Sequence, residues 1–175
     1  MLKIVLGLVG LALLAVLVYA ATKPDSFTLQ RSISVAAPPD KVFALISDMK
    51  AFNTWNPFAR KDPAQKLSYE GPAGGVGAAY AWEGPVVGKG RMEVVETLPP
   101  TRVAMRLDFE KPMQARNQAV FTLEPQGAQT RVTWAMNGPM PYLSKLMTIF
   151  YSMDKMVGGD FEAGLANLKA AAEAR

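Results

Sequence analysis

Residues 102–110 read RVAMRLDFE, and this segment shows most clearly which kind of fold the chain adopts. Its odd-numbered positions are all apolar, whereas most of its even-numbered positions are charged; the apolar set is Val103, Met105, Leu107 and Phe109. Alternation with a period of two is the pattern of a β-strand that has one buried and one solvated face. We therefore predict a strand over Arg102–Glu110 with its apolar face on a core.

Segments of similar character lie on both sides of this strand. Residues 26–35 and 131–137 alternate in the same way, and glycine- and proline-containing turns separate the segments. The predicted strands are Ser26–Val35, Lys66–Glu70, Ala78–Trp82, Arg91–Thr97, Arg102–Glu110, Ala115–Glu124 and Arg131–Asn137. One-sided strands joined by tight turns predict an antiparallel meander, and its apolar face must be covered by another element.

Helical patterns occur before and after the strands, so the predicted fold class is α+β. Pro38-Pro39-Asp40 predicts the start of a helix that runs through Met49, and a short helical or turn segment follows over 51–55. From Tyr142 to Ala174 apolar residues recur at helical spacing, which predicts a long C-terminal helix as the cover of the sheet. Gly158-Gly159 interrupts that pattern and predicts a kink or break there.

The N-terminus carries a separate apolar segment, Ile4–Ala21, which contains no charged residue. An eighteen-residue helix spans about 27 Å, close to the hydrocarbon thickness of a bilayer. We predict that residues 1–23 form a transmembrane anchor and linker, and that residues 24–175 form one domain. A cleaved signal peptide ending near Val18-Tyr19-Ala20 and a buried helix of a soluble protein are the alternatives. With Lys3 in front of it, the anchor favours a single-pass protein of the bacterial inner membrane whose domain lies outside the cytoplasm.

The composition excludes several kinds of chemistry. The chain has no cysteine and no histidine, which removes thiolate nucleophiles, the usual zinc ligands and the usual general base. We therefore expect no metal and no cofactor, and any proton transfer would depend on Asp, Glu, Tyr or Lys. The net charge is +4, but the basic residues are scattered, so we expect no nucleic-acid partner.

Several motifs together give the chain a family resemblance that spans about residues 26–173. They are Arg31-Ser32-Ile33-Ser34-Val35, Ala37-Pro38-Pro39-Asp40-Lys41-Val42-Phe43, Trp55-Asn56-Pro57-Phe58, Thr130-Arg131-Val132-Thr133-Trp134, Asp154-Lys155-Met156-Val157-Gly158 and the segment from Asp160 to Lys169. With them the chain resembles the START-like superfamily, in the polyketide cyclase/dehydrase group known as SRPBCC. The resemblance implies a helix-grip fold, in which a curved antiparallel sheet of about six or seven strands surrounds a long C-terminal helix and a mostly apolar cavity lies between them.

Within such a fold, a set of aromatic, methionine and polar residues is expected to line the cavity. The candidates are Trp55, Tyr80, Met92, Met105, Asn117, Trp134, Met136, Met147, Phe150, Tyr151 and Asp154. Methionine is unbranched and soft, so several of them make a pocket adaptable to ligands of different shape. For any single methionine or large aromatic, ordinary core packing is the alternative.

Asp154 is the one acidic residue that the helical pattern places on the apolar side. On a continuous helix it lies about 40° from Phe150, so it is expected to face the cavity, with Arg116, Asn117 or Tyr80 as partner. It is a candidate for a ligand-orienting or acid–base residue, and a structural hydrogen bond near the glycine pair is the alternative.

Three functions are compatible with the sequence. The first is a membrane-anchored module that binds or carries a hydrophobic small molecule, lipid-like or polycyclic, without catalysis. The second is a cyclase or dehydratase that uses the same cavity, and the third is a protein-interaction module of the cell envelope. The sequence leaves the ligand and the oligomeric state open.

Overall fold

A computed structural model of the protein describes residues 2–174, in six helices and seven strands. The helices are α1 (Leu2–Ala21), α2 (Pro39–Ser47), α3 (Met49–Trp55), α4 (Pro57–Lys61), α5 (Tyr142–Phe150) and α6 (Met153–Glu173). The strands are β1 (Ser26–Val35), β2 (Lys66–Glu70), β3 (Ala79–Gly84), β4 (Gly88–Leu98), β5 (Arg102–Lys111), β6 (Ala115–Gln126) and β7 (Gln129–Pro139).

All seven strands form one antiparallel sheet in the order β1-β7-β6-β5-β4-β3-β2. Strands β2 to β7 follow one another as a meander, and the first strand pairs with the last along its full length. The predicted α+β fold, with a curved sheet and a C-terminal helix, is confirmed. One face of the sheet is apolar and buried, as the alternation in residues 102–110 predicts: Val103, Met105 and Leu107 are buried.

The opposite face of the sheet carries a ladder of ion pairs. Arg106 contacts both Glu93 at 2.6 Å and Asp108 at 3.0 Å, and Arg116 contacts Asp108 at 2.6 Å. The hydrogen bond from Arg91 lowers the pKa of Glu93, and the hydrogen bond from Arg116 lowers the pKa of Asp108. The face with the charged pairs is therefore exposed to solvent, and the apolar face packs in the core.

Helix α6 lies across the apolar face and provides the predicted cover. Its buried residues include Phe161, Leu165 and Leu168. The helix approaches the sheet closely at Gly164, where a Cβ atom would lie 2.8 Å from Cζ3 of Trp134 and 3.0 Å from Cδ of Pro57. Glycine is therefore required at this position by the space between helix, sheet and α4.

The break in the C-terminal helical segment lies elsewhere than predicted. Helix α5 ends at Phe150 and α6 begins at Met153, whereas the helix is continuous through Gly158-Gly159. Ser152 accounts for the position of the break, since its side chain accepts a hydrogen bond from the backbone N–H of Lys155 and caps the new helix. The expected break at the glycine pair is therefore wrong, since both glycines lie inside α6.

This correction leads to a prediction for Gly159, which is exposed in the interior of α6 and would place a Cβ atom in open space. We expect Gly159→Ala to raise the free energy of unfolding by about 0.5–1 kcal/mol, because alanine restricts the unfolded chain and favours helix. Thermal unfolding followed by circular dichroism should show a melting temperature about 2–4 °C higher. Gly164→Ala is the matched control and should lower stability. A loss of stability in Gly159→Ala would contradict the prediction and indicate that α6 needs glycine at this position.

Helix α1 stands apart from the sheet, with most of its side chains exposed. It is long and apolar enough to cross a membrane, and by the same measure it resembles a signal sequence. Its C-terminal end is attached to the domain, since the Tyr142 hydroxyl donates a hydrogen bond to the Leu17 carbonyl oxygen at 2.9 Å. The position of this attachment fixes which end of the sheet lies near α1.

Candidate ligand-binding cavity

A cavity of about 410 Å³ lies between the apolar face of the sheet and the N-terminal half of α6. Strands β3 to β7 form its floor, α6 forms one wall, and α3, α4 and the β3–β4 turn complete its surround. Its volume falls within the range of about 300–1,000 Å³ that is usual for small-molecule sites. The structure therefore leaves room for a ligand where a fully packed core would leave none.

One small residue, Ala119, is among the side chains that line the cavity floor. Met92 on β4 is paired with Leu107 on β5, and Ala119 on β6 is paired with Met136 on β7. All four side chains line the cavity. Three of them are long, whereas the methyl group of Ala119 reaches only a short way from the sheet and leaves space beneath α6.

Aromatic rings form the firmest part of the wall. Trp134 is stacked between Phe121, with ring centroids 5.1 Å apart, and Phe161, with ring centroids 4.0 Å apart. Trp82 contacts Tyr80 on one side and Phe109 on the other, and all three line the cavity. Stacked and edge-on rings of this kind resist rearrangement, so the wall is largely preformed.

Two buried polar side chains in the cavity lining, Asn56 and Tyr80, contact one another. The Asn56 amide Nδ2 donates a hydrogen bond to the Tyr80 hydroxyl oxygen at 3.2 Å. Burial raises the pKa of Tyr80 far above its usual range, so the phenol stays neutral. The hydroxyl accepts from Asn56 and retains its own proton, which it can donate to an oxygen atom of a ligand.

Charged groups are confined to the cavity mouth. Lys61 and Asp160 both line it and form an ion pair at 2.6 Å. Next to them, the buried Asp62 carboxylate accepts hydrogen bonds from the backbone N–H groups of Val86 and Val87, at 2.8 and 3.2 Å. This pair of bonds holds the β3–β4 turn against the opening. Among residues 2–174, no cluster of acidic side chains is arranged to hold a metal ion.

The structure brings four of the predicted cavity residues together: Tyr80, Met92, Trp134 and Met136 all line the cavity. The other candidates lie outside its lining. Trp55 and Met105 are buried in the core, and the Trp55 indole Nε1 donates to the Leu45 carbonyl oxygen at 2.8 Å. Asn117 lies near the start of β6, beside Gly138 on β7.

Three further candidates are on the outside of the domain. Met147, Phe150 and Tyr151 are 46%, 70% and 67% exposed, on α5 or directly after it. Their placement on the apolar stripe assumes one continuous helix, and the break before Ser152 turns α5 away from the cavity. The prediction that they face the cavity is therefore wrong.

Asp154 also points away from the cavity, and its side chain is 61% exposed. Its partner is Arg31 on β1, which at the same time donates to the Glu162 carboxylate at 2.8 Å. Gly158 makes room for this pairing, because a Cβ atom there would lie 2.6 Å from Nη2 of Arg31. Asp154 thus links α6 to the edge of the sheet, and the prediction that it faces the cavity is wrong.

Sequence reasoning missed Asp62, Ala119 and Asp160 as parts of the site. Asn56 also lines the cavity, and its position in the quoted motif Trp55-Asn56-Pro57-Phe58 is a usable signal. Alanine in a strand carries no such signal, since its importance comes only from the larger residues around it.

Comparison with known proteins agrees with this architecture. A family model described as "Polyketide cyclase / dehydrase and lipid transport" matches residues 26–173. A search of curated protein sequences finds no significant match.

Solved structures show the same fold at low sequence identity. Protein CV1439 from Chromobacterium violaceum is 16% identical, with a TM-score of 0.59 over 87% of this chain and 100% of that chain. Protein Mll3558 from Rhizobium loti is 19% identical, with a TM-score of 0.60 over 83% of this chain and 96% of the other. DynU16, a protein in the dynemicin biosynthetic locus, is 20% identical, with a TM-score of 0.55 over 85% of this chain and 47% of its own. At these identities the likeness shows the fold alone.

Proposed function

Because the chain belongs to the polyketide cyclase/dehydrase and lipid transport family, we propose that it binds a hydrophobic small molecule in the cavity beside α6. The observation that carries this proposal is the cavity of about 410 Å³, open at one end and lined mainly by apolar side chains. Its ligand is lipid-like or polycyclic, since an apolar wall favours an apolar ligand.

The polar groups limit which ligands fit. In the buried part of the lining, the neutral Tyr80 hydroxyl favours an uncharged oxygen acceptor such as a carbonyl or hydroxyl group. At the mouth, Lys61 and Asp160 already neutralise one another. A ligand with an apolar body and one or two oxygen atoms meets both conditions, whereas a polyanion would leave charge unpaired in the apolar interior.

In the same proposal, α1 is a single transmembrane span that keeps the domain at the surface of a bacterial inner membrane, on the side away from the cytoplasm. The basis is its length, its apolar composition and Lys3 at its N-terminal end. A short linker, 22–25, joins it to β1. Tethering of this kind holds the cavity at a high effective concentration next to its lipid reservoir.

A cyclase or dehydratase activity is the second candidate. The family to which the chain belongs includes polyketide cyclases and dehydrases, which favours it. Tyr80 is the group that would donate a proton to a bound carbonyl, because its hydroxyl is buried in the cavity wall and neutral. An enzyme would lose turnover but keep its ligand in Tyr80→Phe, whereas a carrier would show at most a modest change in affinity.

Native mass spectrometry of the full chain in lipid nanodiscs tests the main proposal. We expect one apolar molecule to remain bound per chain after mild activation, and to exchange with added fatty acids, quinones or polycyclic compounds. The same preparation of a variant with a filled cavity provides the comparison. A wild-type chain that carries nothing and rejects the whole panel would contradict the proposal.

A further inference from the structure

The register of the sheet shows which loops share one of its ends. The start of β1 is paired with the end of β7 through Ser26 and Pro139, and Lys89 near the start of β4 is paired with Lys111 at the end of β5. Because neighbouring strands are antiparallel, the β3–β4 turn, the β5–β6 turn, the end of β7 and the start of β1 all lie at this end. The cavity opens there too, since Val86 of the β3–β4 turn both lines the cavity and is 70% exposed.

Large apolar side chains are exposed around this mouth. Val86 is 70% exposed, Met113 in the β5–β6 turn 50%, and Met156 at the start of α6 48%; Phe150 and Tyr151, at the end of α5, are 70% and 67% exposed. We call these five residues the apolar collar. Val86 and Met156 belong both to the collar and to the cavity lining, so the collar is continuous with the interior.

The opposite end of the sheet differs. Within residues 2–174, comparably exposed large apolar side chains at that end are Val76, in the β2–β3 loop, and Leu98, at the end of β4. Single exposed apolar residues are ordinary on protein surfaces, whereas a cluster around an opening marks an interaction site. The collar is therefore an interaction surface, and the element next to it indicates what it contacts.

That element is α1, which is attached at the collar end of the domain. The Asp25 backbone carbonyl accepts a hydrogen bond from the Met140 N–H at 2.7 Å, and the Asp25 carboxylate pairs with Lys145 at 2.5 Å. Together with the Tyr142–Leu17 hydrogen bond, these contacts join the C-terminal end of α1 to the start of α5. A span ending here places the collar, and not the opposite end of the sheet, against the surface that the span crosses.

Exposed basic residues accompany the collar. Lys111 precedes Met113 in the β5–β6 turn, and Lys155 precedes Met156 on α6; both are exposed. Lysine beside exposed apolar and aromatic side chains is the combination found in segments that lie in the headgroup region of a bilayer containing anionic lipids.

We propose that the apolar collar docks into the surface of the lipid bilayer that α1 spans, so that the cavity mouth opens into the membrane interface. This inference rests on the proposed role of α1 as a transmembrane span and deepens the proposed function. A hydrophobic ligand then passes between bilayer and cavity without crossing bulk water. Exchange would be limited by the ligand's passage through the collar and not by its poor solubility.

Site-directed spin labelling is well suited to the test, because the natural chain contains no cysteine. Single-cysteine variants Val86→Cys, Met113→Cys and Tyr151→Cys would be labelled in the full chain, reconstituted in nanodiscs of phosphatidylcholine with a minority of phosphatidylglycerol. Leu98→Cys is the matched control at the opposite end of the sheet, and Leu8→Cys in α1 reports whether that helix is embedded. Collision with lipid-soluble oxygen and with a water-soluble nickel complex gives the depth of each label.

We expect the collar labels to lie about 5–10 Å below the phosphate level and the Leu98 label to remain in water. Collar labels as water-exposed as the Leu98 label, with the Leu8 label embedded, would overturn the docking inference and leave ligand binding by the cavity standing. A Leu8 label exposed to water would overturn both the span and the docking. Ligand retention, measured separately by native mass spectrometry, shows whether the cavity proposal fails with them.

Discussion

Replacing Trp55 by alanine is expected to lower the free energy of unfolding by about 3–5 kcal/mol, the largest stability effect of any single side chain considered. Trp55 is 1% exposed, and its ring lies 4.7 Å from Phe52, 6.0 Å from Phe121 and 6.1 Å from Trp134, measured between centroids. Its indole N–H also satisfies the Leu45 carbonyl oxygen at the end of α2. Alanine would leave a void among these rings and an unsatisfied carbonyl group.

Trp55→Phe is the matched variant for this prediction. Phenylalanine keeps most of the ring contacts and removes the hydrogen bond to Leu45, so the expected loss is about 1–2 kcal/mol. Thermal and denaturant unfolding, followed by near-ultraviolet circular dichroism, would compare the three proteins. Equal losses in the two variants would mean that the hydrogen bond, and not the packing, is the main contribution; a loss below about 1 kcal/mol in Trp55→Ala would contradict the buried position.

The second large effect is expected on binding, in Ala119→Phe. A phenyl ring at this position projects from the floor of the cavity and fills space that a ligand would occupy. If it displaces about four methylene-sized groups of the ligand, at about 0.8 kcal/mol each, the loss is about 3 kcal/mol. This corresponds to a roughly hundredfold weaker affinity. Titration of a fluorescent fatty acid or polycyclic probe into the full chain in nanodiscs measures it.

Ala135→Phe is the control for that experiment. Ala135 lies on β7 between Val120 and Gln30, half-buried and on the opposite face of the sheet from Ala119. Ala135→Phe adds the same ring outside the cavity, so the affinity for the probe should not change. Melting temperatures of both variants would show that each is folded. Unchanged affinity in a folded Ala119→Phe would place the ligand elsewhere and refute the cavity as the binding site.

The strands were predictable because their signal is local. Ser26–Val35 is predicted and observed with the same bounds, and the strand predicted over Arg102–Glu110 is observed as Arg102–Lys111. Apolar and polar residues alternate along a strand whenever one of its faces is buried, whichever element covers that face. The strand can therefore be recognised before the covering element is known. The resemblance to the START-like superfamily then supplied the arrangement of sheet and helix, which the family match over residues 26–173 confirms.

The candidate site was only partly predictable. Tyr80, Met92, Trp134 and Met136 are on strands, where alternate residues share a face, and they line the cavity as expected. Phe150 and Asp154 were placed by counting along a helix, and the break before Ser152 shifts the phase of every residue before it relative to those after it. The break therefore accounts for the exposure of Phe150, whereas Asp154, in the first turn of α6, pairs with Arg31 outside the cavity.

The sequence by itself therefore determined the apolar segment at the N-terminus, the alternating strands and the covering helix, since each depends on neighbours along the chain. The tertiary structure alone decided that Asp154 pairs with Arg31, a residue 123 positions away, and that Ala119 lies under α6 with space above it. It also decided that the cavity opens at the end of the sheet where α1 is attached. Such features depend on which surfaces meet after the chain has folded. A cavity in particular is bounded by residues that are far apart along the chain, so the sequence around any one of them does not reveal it.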